Sequence, residues 1–259
     1  MGTENSTFAV DCLPAFRDNY IWLLRRGNAA VVVDPGDAAP VEAALAEGGL
    51  RLTAILITHH HADHQGGVAA LLERHEALVF GPAAESITGL SHPLMGGEVI
   101  DFPELGASFK VLSVPGHTSG HLAYVGQDCL FCGDSLFGLG CGRLFEGTPK
   151  QMSASLATLA ALPERTAVYC AHEYTQMNAG FAQAVDPDNA ALQQRVAEVA
   201  RKRAAGLATV PSSIGLERAT NPFLRCSEPA LIAAARSRDA TASDPVSVFA
   251  ALRAWRNEF

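Results

Sequence analysis

Four imidazoles and a carboxylate fall within seven residues, Thr58-His59-His60-His61-Ala62-Asp63-His64, directly after the strand-like run Thr53–Ile57 and before an apolar helical segment. Packed together, such rings repel when protonated and need partners when buried, whereas neutral imidazoles and a carboxylate are suitable donors to borderline divalent metals. His59 and His61 alternate as side chains do on extended backbone, so they share a direction that His60 does not. Asp63 and His64, one turn later, face a second position, so one stretch can feed two metals. The plainer alternative is a solvent-exposed His-rich loop. The residues of this loop cannot close two sites alone, and three other strand ends carry the missing donor types: Pro115-Gly116-His117-Thr118, Gly133-Asp134 and Ala171-His172-Glu173. Each alone is a weak signal, more often a cap or hydrogen-bond partner than a ligand. Together, on loops positioned by a sheet, they outweigh the exposed-loop reading.

The rest of the chain suits such a scaffold. Short apolar runs at Phe8–Cys12, Tyr20–Leu24, Ala29–Val33, Thr53–Ile57, Leu78–Phe80, Phe109–Val114, Leu122–Val125, Cys129–Phe131 and Ala167–Cys170 read as strands. Helical patterns at Pro40–Ala46, Val68–Arg74 and Met152–Leu162 lie between them, which gives an α+β, sheet-based domain covered by helices. The last third changes character. Asp186-Pro187 supplies a cap and first-turn proline for a helix carrying Leu192, Val196 and Val199 and ending near Gly206, and Ser243-Asp244-Pro245 does the same for a closing helix with Val248, Phe249, Leu252 and Trp255 inward. The boundary falls between 175 and 187, separating a β-rich domain, residues 1–175, from a small helical one, residues 176–259. With 48% hydrophobic and 18% charged residues in 259, the chain can bury a sizeable core. Its apolar runs stop far short of the ~20 residues a membrane span needs. Its first residues carry a Glu and no Lys or Arg, so the expectation is a soluble, cytoplasmic protein. The six cysteines are sparse and read as reduced thiols, with Cys129-Leu-Phe-Cys132 as buried strand cysteines rather than a redox or zinc pair.

The net charge of −8 divides unevenly. Residues 195–259 hold ten of the nineteen Lys and Arg but only six of the 27 Asp and Glu, so a basic tail follows an acidic body. A net acidic protein is a poor general binder of nucleic acid, and cations spread along helices suit either a solvated face or a localised anion site.

The THxHxDH pattern with downstream His, Asp and His resembles the metallo-β-lactamase superfamily. The flanking stretches narrow the resemblance to the glyoxalase II (hydroxyacylglutathione hydrolase) family: Asp18-Asn-Tyr20, Val33-Asp-Pro-Gly-Asp37, Phe131-Cys-Gly-Asp134, Gly140-Cys-Gly-Arg-Leu-Phe-Glu-Gly147, Ala171-His-Glu-Tyr-Thr175, Asn221-Pro-Phe-Leu-Arg225 and Arg253 to Phe259. It spans nearly the whole chain. The HxHxDH core is specific for the superfamily only, and the later segments point to the narrower family. The resemblance implies an αββα four-layer sandwich followed by the helical domain. It implies one metal held by His59, His61 and His117, a second by Asp63, His64 and His172, and Asp134 bridging both; His60, His75, His92 and His121 are left without a metal role.

Two such metals hold a hydroxide between them, near Asp134 and Asp63, by lowering the pKa of water from ~15.7 toward ~7. A thioester suits this site, because its thiolate leaving group, with a pKa of ~8.5, departs without a general acid. The resemblance thus implies cleavage of S-(2-hydroxyacyl)glutathione, S-D-lactoylglutathione first, to glutathione and D-lactate in methylglyoxal detoxification, by a monomer with no membrane or nucleic-acid partner. The metals are expected to be zinc, with iron and manganese open. Arg253 and Arg256 share a helix face, and the resemblance assigns them, with Arg143 and Tyr174, to glutathione. Three positions depart from familiar members: Arg143 stands for a Lys, Phe145 for a Tyr, and Arg256-Asn257 for Lys-Asp. Two other readings stay open from sequence alone: a mono-iron persulfide dioxygenase, against which Asp63, His64 and His172 argue, and a protein whose metals only brace the fold.

Overall fold

The apolar runs fold as strands, two of them, Ala29–Val33 and Ala167–Cys170, with the boundaries read from sequence. The computed structural model describes residues 8–259. It divides into two units, residues up to Ser113 with Gly120–Gly133, and Val114–Ser119 with Asp134–Phe259.

In the first unit, β1 (Ala9–Ala15), β2 (Asn19–Arg26) and β3 (Ala29–Val33) pair antiparallel, and β4 (Arg51–Leu56), β5 (Leu78–Pro82) and β6 (His92–Leu94) extend the sheet in parallel. Parallel neighbours require crossovers. These are α1 (Ala38–Gly48) between β3 and β4, then α2 (Ala62–Gln65) and α3 (Val68–Leu72) between β4 and β5. Asp37 caps α1 by accepting from the Ala39 amide, and Gly49 ends it at φ 58°, where a side chain would be strained. Every residue of β3 is buried because both sheet faces are covered. Ala30 and Val32 meet Val41 and Leu45 of α1 and Val68 and Leu71 of α3. On the other face lies an antiparallel meander of β7 (Val99–Phe102), β8 (Ala107–Ser113), β9 (Leu122–Gly126) and β10 (Cys129–Gly133). A chain of rings joins the two sheets: Phe80 to Phe102 at 5.5 Å, Phe102 to Phe109 at 6.2 Å and Phe109 to Phe131 at 6.0 Å. The Tyr124 hydroxyl donates to the Ile57 carbonyl at 2.6 Å, fixing the end of β4 from which the His cluster leaves. Each fully buried Val, Leu, Ile or Phe contributes about 1.5–3 kcal/mol relative to exposure. The strands are therefore firm supports for the loops at their ends.

In the second unit, a hairpin of β11 (Leu136–Phe137) and β12 (Gly140–Cys141) precedes α4 (Pro149–Ala160), β13 (Ala167–Cys170), α5 (Thr175–Val185) and α6 (Ala190–Ala204). Then follow β14 (Ser212–Ser213), which pairs with β13, α7 (Ile214–Thr220), a 3-10 turn at Pro222–Leu224, α8 (Pro229–Arg236) and α9 (Pro245–Glu258). The closing helix begins as read, with Asp244 accepting from the Val246 and Ser247 amides and Pro245 in the first turn. Val248, Phe249 and Leu252 are buried, while Trp255 is half-buried between Phe181, at 5.7 Å, and the Arg238 guanidinium, at 4.5 Å.

One cap differs from the sequence reading. The helix carrying Leu192, Val196 and Val199 begins at Ala190 on Asn189, not on Asp186. The Asp186 amide still donates to Ala182, closing α5, and its carboxylate is engaged by the Asn189 side chain at 2.8 Å and by Arg225 at 3.3 Å. Asn189 Oδ1 is therefore the acceptor left for the Leu192 amide, at 3.1 Å.

Candidate metal centre and substrate cavity

The strand β4 delivers Thr58 and His59 to a loop, and α2 starts at once with His61 as its cap, so Asp63 and His64 follow on the first helical turn. Three side chains of the first unit orient this donor set. Asp34, at φ 51° after β3, accepts from the Thr58 amide at 2.8 Å, the Thr58 hydroxyl at 2.7 Å and His64 Nδ1 at 3.0 Å. The Thr58 hydroxyl, its proton committed to Asp34, accepts from His59 Nδ1 at 3.0 Å. Asn19 Nδ2 donates to Asp63 Oδ2 at 3.0 Å. With Nδ1 of His59 and His64 acting as donors, Nε2 of each ring carries the lone pair. His59 Nε2 faces His61 Nδ1 at 3.0 Å, and His64 Nε2 lies 3.5 Å from Asp63 Oδ2. Gly36 makes this approach possible: a Cβ there would meet the Asp63 carbonyl oxygen at 1.9 Å.

In the second unit, His117, Asp134 and His172 come together. His117 Nδ1 donates to the Arg143 carbonyl at 2.8 Å, which leaves Nε2 3.4 Å from Asp134 Oδ2; His172 Nε2 lies 3.3 Å from Asp134 Oδ1. One carboxylate thus has an imidazole nitrogen at each oxygen, the arrangement a carboxylate shared by two cations takes. Gly142 is required beside it, since a Cβ would meet the Asp134 carbonyl oxygen at 1.9 Å. Buried rings whose far nitrogens are tied to carboxylate, hydroxyl or carbonyl oxygens are how metal-ligating histidines are held. The donors in each unit fit divalent cations.

The arginines expected to capture substrate also converge. A cavity of about 300 Å³ is lined by His117, Asp134, Arg143, Tyr174, Arg253 and Arg256, with Phe137, Cys141, Phe145, Met177 and Asn178 between them. Tyr174 stacks on His172 with ring centres 4.6 Å apart. Phe145, exposed, stands edge-on to His117 at 5.2 Å with the Arg143 guanidinium 5.9 Å from its centre. Arg256 donates to Asn178 Oδ1 at 3.2 Å, while Arg253 donates through Nη1 to the Cys141 carbonyl at 2.9 Å and through Nη2 to Asn257 at 3.0 Å. Arg253 is buried, and its Nε finds no hydrogen-bond partner among the described residues. Burial, and then the charges of Arg253 and Arg143, hold the Arg256 guanidinium below the usual arginine value. Like charges gathered in a half-buried cleft are relieved by an anion.

Asp34, Asn19 and Thr58, which hold the donor side chains, were given no role from sequence although each lies in a stretch quoted above. Cys141, within the Gly140–Gly147 stretch, was given no role, and Met177 and Asn178 carry no local signature. The other histidines have structural partners. His60 is held by Glu85, at 2.7 Å from its amide and 3.0 Å from Nδ1, His75 meets Glu42 at 3.2 Å, His92 meets Ser91 at 2.9 Å, and His121 stacks on His59 at 4.6 Å.

The metallo-β-lactamase superfamily model matches residues 15–172, and the model for the hydroxyacylglutathione hydrolase C-terminus matches residues 173–259. The hydroxyacylglutathione hydrolase of Dechloromonas aromatica (strain RCB) is 59% identical, over 96% of this chain and 99% of its own length. That of Alkalilimnicola ehrlichii is 57% identical over 95% and 97%. Among solved structures, ETHE1 from Myxococcus xanthus aligns at a TM-score of 0.65 with 26% identity, covering 96% of this chain and 97% of its own. TTHA1623, solved in a di-iron-bound form, aligns at 0.58 with 28% identity over 83% and 100%. The fold is α+β, a metallo-β-lactamase fold followed by a helical C-terminal part, and among the described residues no helix is long and apolar enough to cross a membrane. On these matches over nearly its full length, the chain belongs to the hydroxyacylglutathione hydrolase family of the metallo-β-lactamase superfamily.

Proposed function

We propose that this chain hydrolyses S-(2-hydroxyacyl)glutathione, S-D-lactoylglutathione foremost, to glutathione and the 2-hydroxy acid, and that it does so in the cytoplasm as a monomer in methylglyoxal detoxification. The observation that carries the reading is one cavity in which two metal-donor side chains, His117 and Asp134, share a wall with Arg143, Arg253 and Arg256. Metal donors alone would suit many hydrolases; three convergent guanidiniums select a leaving group that is anionic. Hydroxyacylglutathione hydrolases at 52–59% identity support the same substrate class.

The donor set would hold two divalent ions, zinc before iron or manganese: His59, His61 and His117 at one, Asp63, His64 and His172 at the other, and Asp134 shared. When bound, they supply Lewis acidity and a water ionised near neutral pH. The chain's own residues do the rest. Asp34, through Thr58 and His64, keeps the imidazoles in the tautomer that presents Nε2. Arg253 and Arg256 bind carboxylate on the tripeptide and so fix the thioester relative to Asp134. This binding energy is gained far from the reacting carbon and is shared by ground and transition states, so its loss falls on KM. Helices 176–259 serve as the substrate-binding part, with α9 contributing both arginines. The leaving thiolate needs no proton from the protein, which agrees with a cavity whose one thiol, Cys141, is pushed up by burial against the opposing pull of Arg253.

The test is purified protein with S-D-lactoylglutathione, read by thiol release, beside metal analysis. Close to two equivalents of metal per chain with stoichiometric thiol and D-lactate support the reading. Full metal content without turnover refutes it. Asp134→Ala is expected to lose metal and activity together.

A further inference from the structure

We infer that Asn221, remote from the reacting atoms, is the positioning residue that aims Arg253 into the substrate cavity. Asn221 is fully buried between α7 and the 3-10 turn, and its side-chain amide is fully engaged. Nδ2 donates to the Phe137 carbonyl at 3.0 Å, the Gly140 carbonyl at 2.9 Å and Glu217 Oε2 at 3.0 Å. Oδ1 accepts from the Phe223 amide at 3.0 Å. These bonds hold two groups that contact the Arg253 guanidinium, which also donates to Asn257 on its own helix. One is the β11–β12 hairpin, whose Cys141 carbonyl, next after Gly140, accepts from Arg253 Nη1 at 2.9 Å. The other is Phe223, whose ring centre lies 5.4 Å from the Arg253 guanidinium carbon.

The hairpin needs such a hold. Leu139, in its turn, sits at φ 57°, an unfavourable region for a branched residue. Its amide is claimed by Glu217 Oε2 at 3.1 Å. Glu217 is in turn fixed by a buried ion pair with Arg195 and by the Ser212 hydroxyl. A buried network thus runs from α6 through α7 to one side chain whose bonds end beside the Cys141 carbonyl and on the Phe223 amide, the residues that contact the Arg253 guanidinium through a hydrogen bond and a ring. The Arg253 side chain has lost its rotamer freedom before substrate arrives, which is how preorganisation raises affinity.

The inference rests on Arg253 binding the glutathione part, and its test separates the two claims. With S-D-lactoylglutathione, Asn221→Ser keeps a cap acceptor for Phe223 but loses the two-carbonyl grip. It is expected to raise KM about tenfold while kcat falls less than about threefold. In an Arg253→Ala background the same substitution should add nothing to KM, because residues acting through one another are non-additive. Additive effects, or an equal loss in kcat, would overturn the positioning role and leave a structural one. If Arg253→Ala itself leaves KM unchanged, the substrate reading fails, and the inference with it. Phe223→Leu, which removes the ring beneath the guanidinium and leaves the Asn221 bonds in place, provides the same cycle if Asn221→Ser does not fold: the inference requires its KM effect, too, to vanish in the Arg253→Ala background.

Discussion

At the scale of single residues, Arg253 is the most exposed to test. A charge-assisted hydrogen bond contributes about 1.5–3 kcal/mol, so Arg253→Ala should raise KM for a glutathione thioester roughly 10- to 150-fold with kcat little changed. Steady-state kinetics decide it, and a loss confined to kcat would place Arg253 elsewhere in the reaction. The thiols give a second prediction. Burial pushes Cys170 and Cys226 up to about 12, with Glu217 adding to the effect at Cys170 and Cys141 at Cys226. Both therefore remain thiols at pH 8 in the folded protein. Cys12 and Cys129, half-buried, should be alkylated first, and Cys170 and Cys226 only on unfolding. The sign for stability follows: unfolded thiols ionise near the ordinary value of about 8.5, so the unfolded state gains from rising pH before the folded one does, and melting temperature should fall from pH 8 to 10. A flat melting profile over that range would contradict it.

At the scale of elements, the loops that deliver donors depend on glycines at close approaches, Gly36 and Gly142 among them. Gly142→Ala must displace the Asp134 backbone, met at 1.9 Å, and also crowds His117 Cβ at 3.2 Å. It should cost metal content and activity together, while an alanine at Gly27, with nothing within 4 Å, should leave both in place despite its φ of 58°. What was legible in the sequence follows the same division. The runs Ala29–Val33 and Ala167–Cys170 are apolar throughout and end at polar or turn residues within two positions, so composition alone finds them. β6 and β7 are three and four residues long, with exposed His92 and Val99, too short for the alternation of β7 to stand out. α5, with Thr175 and Asn178 among its buried residues, hides its inward face behind polar side chains. The start of α6 was misplaced because Asp186-Pro187 looks like a cap, and only tertiary bonds from Asn189 and Arg225 show that Asp186 is already engaged. The His and Asp side chains proposed to hold metal stood out because their types are distinctive and they follow strands. The partners of Asp34, Asn178 and Asn221 were not legible, although Asp34 and Asn221 lie in stretches quoted above, since a buried polar residue gains its role from groups 24, 40 and 84 positions away.

At the scale of the whole molecule, charge and metal content carry the expectations. The acidic body holds the carboxylates and imidazoles suited to cations, and the basic tail includes Arg253 and Arg256. Because capture of an anion by the exposed Arg143 and the half-buried Arg256 is screened by salt, KM should rise with ionic strength while kcat stays level. Dialysis against a strong chelator should abolish turnover and lower the melting temperature, since ligands that bind only the folded state stabilise it by mass action; re-addition of zinc should restore both. Unchanged melting after full metal removal would show that the donors contribute nothing to the fold.

The central claim is that one centre performs thioester hydrolysis on a substrate selected by its anionic tripeptide. The most direct measurement compares kcat/KM for S-D-lactoylglutathione with that for the D-lactoyl thioester of a small uncharged thiol, on the same metal-replete protein. Two lost charge-assisted contacts, at about 1.5 kcal/mol each, predict a preference of at least about 100-fold for the glutathione thioester. Equal kcat/KM for the two thioesters would contradict the account.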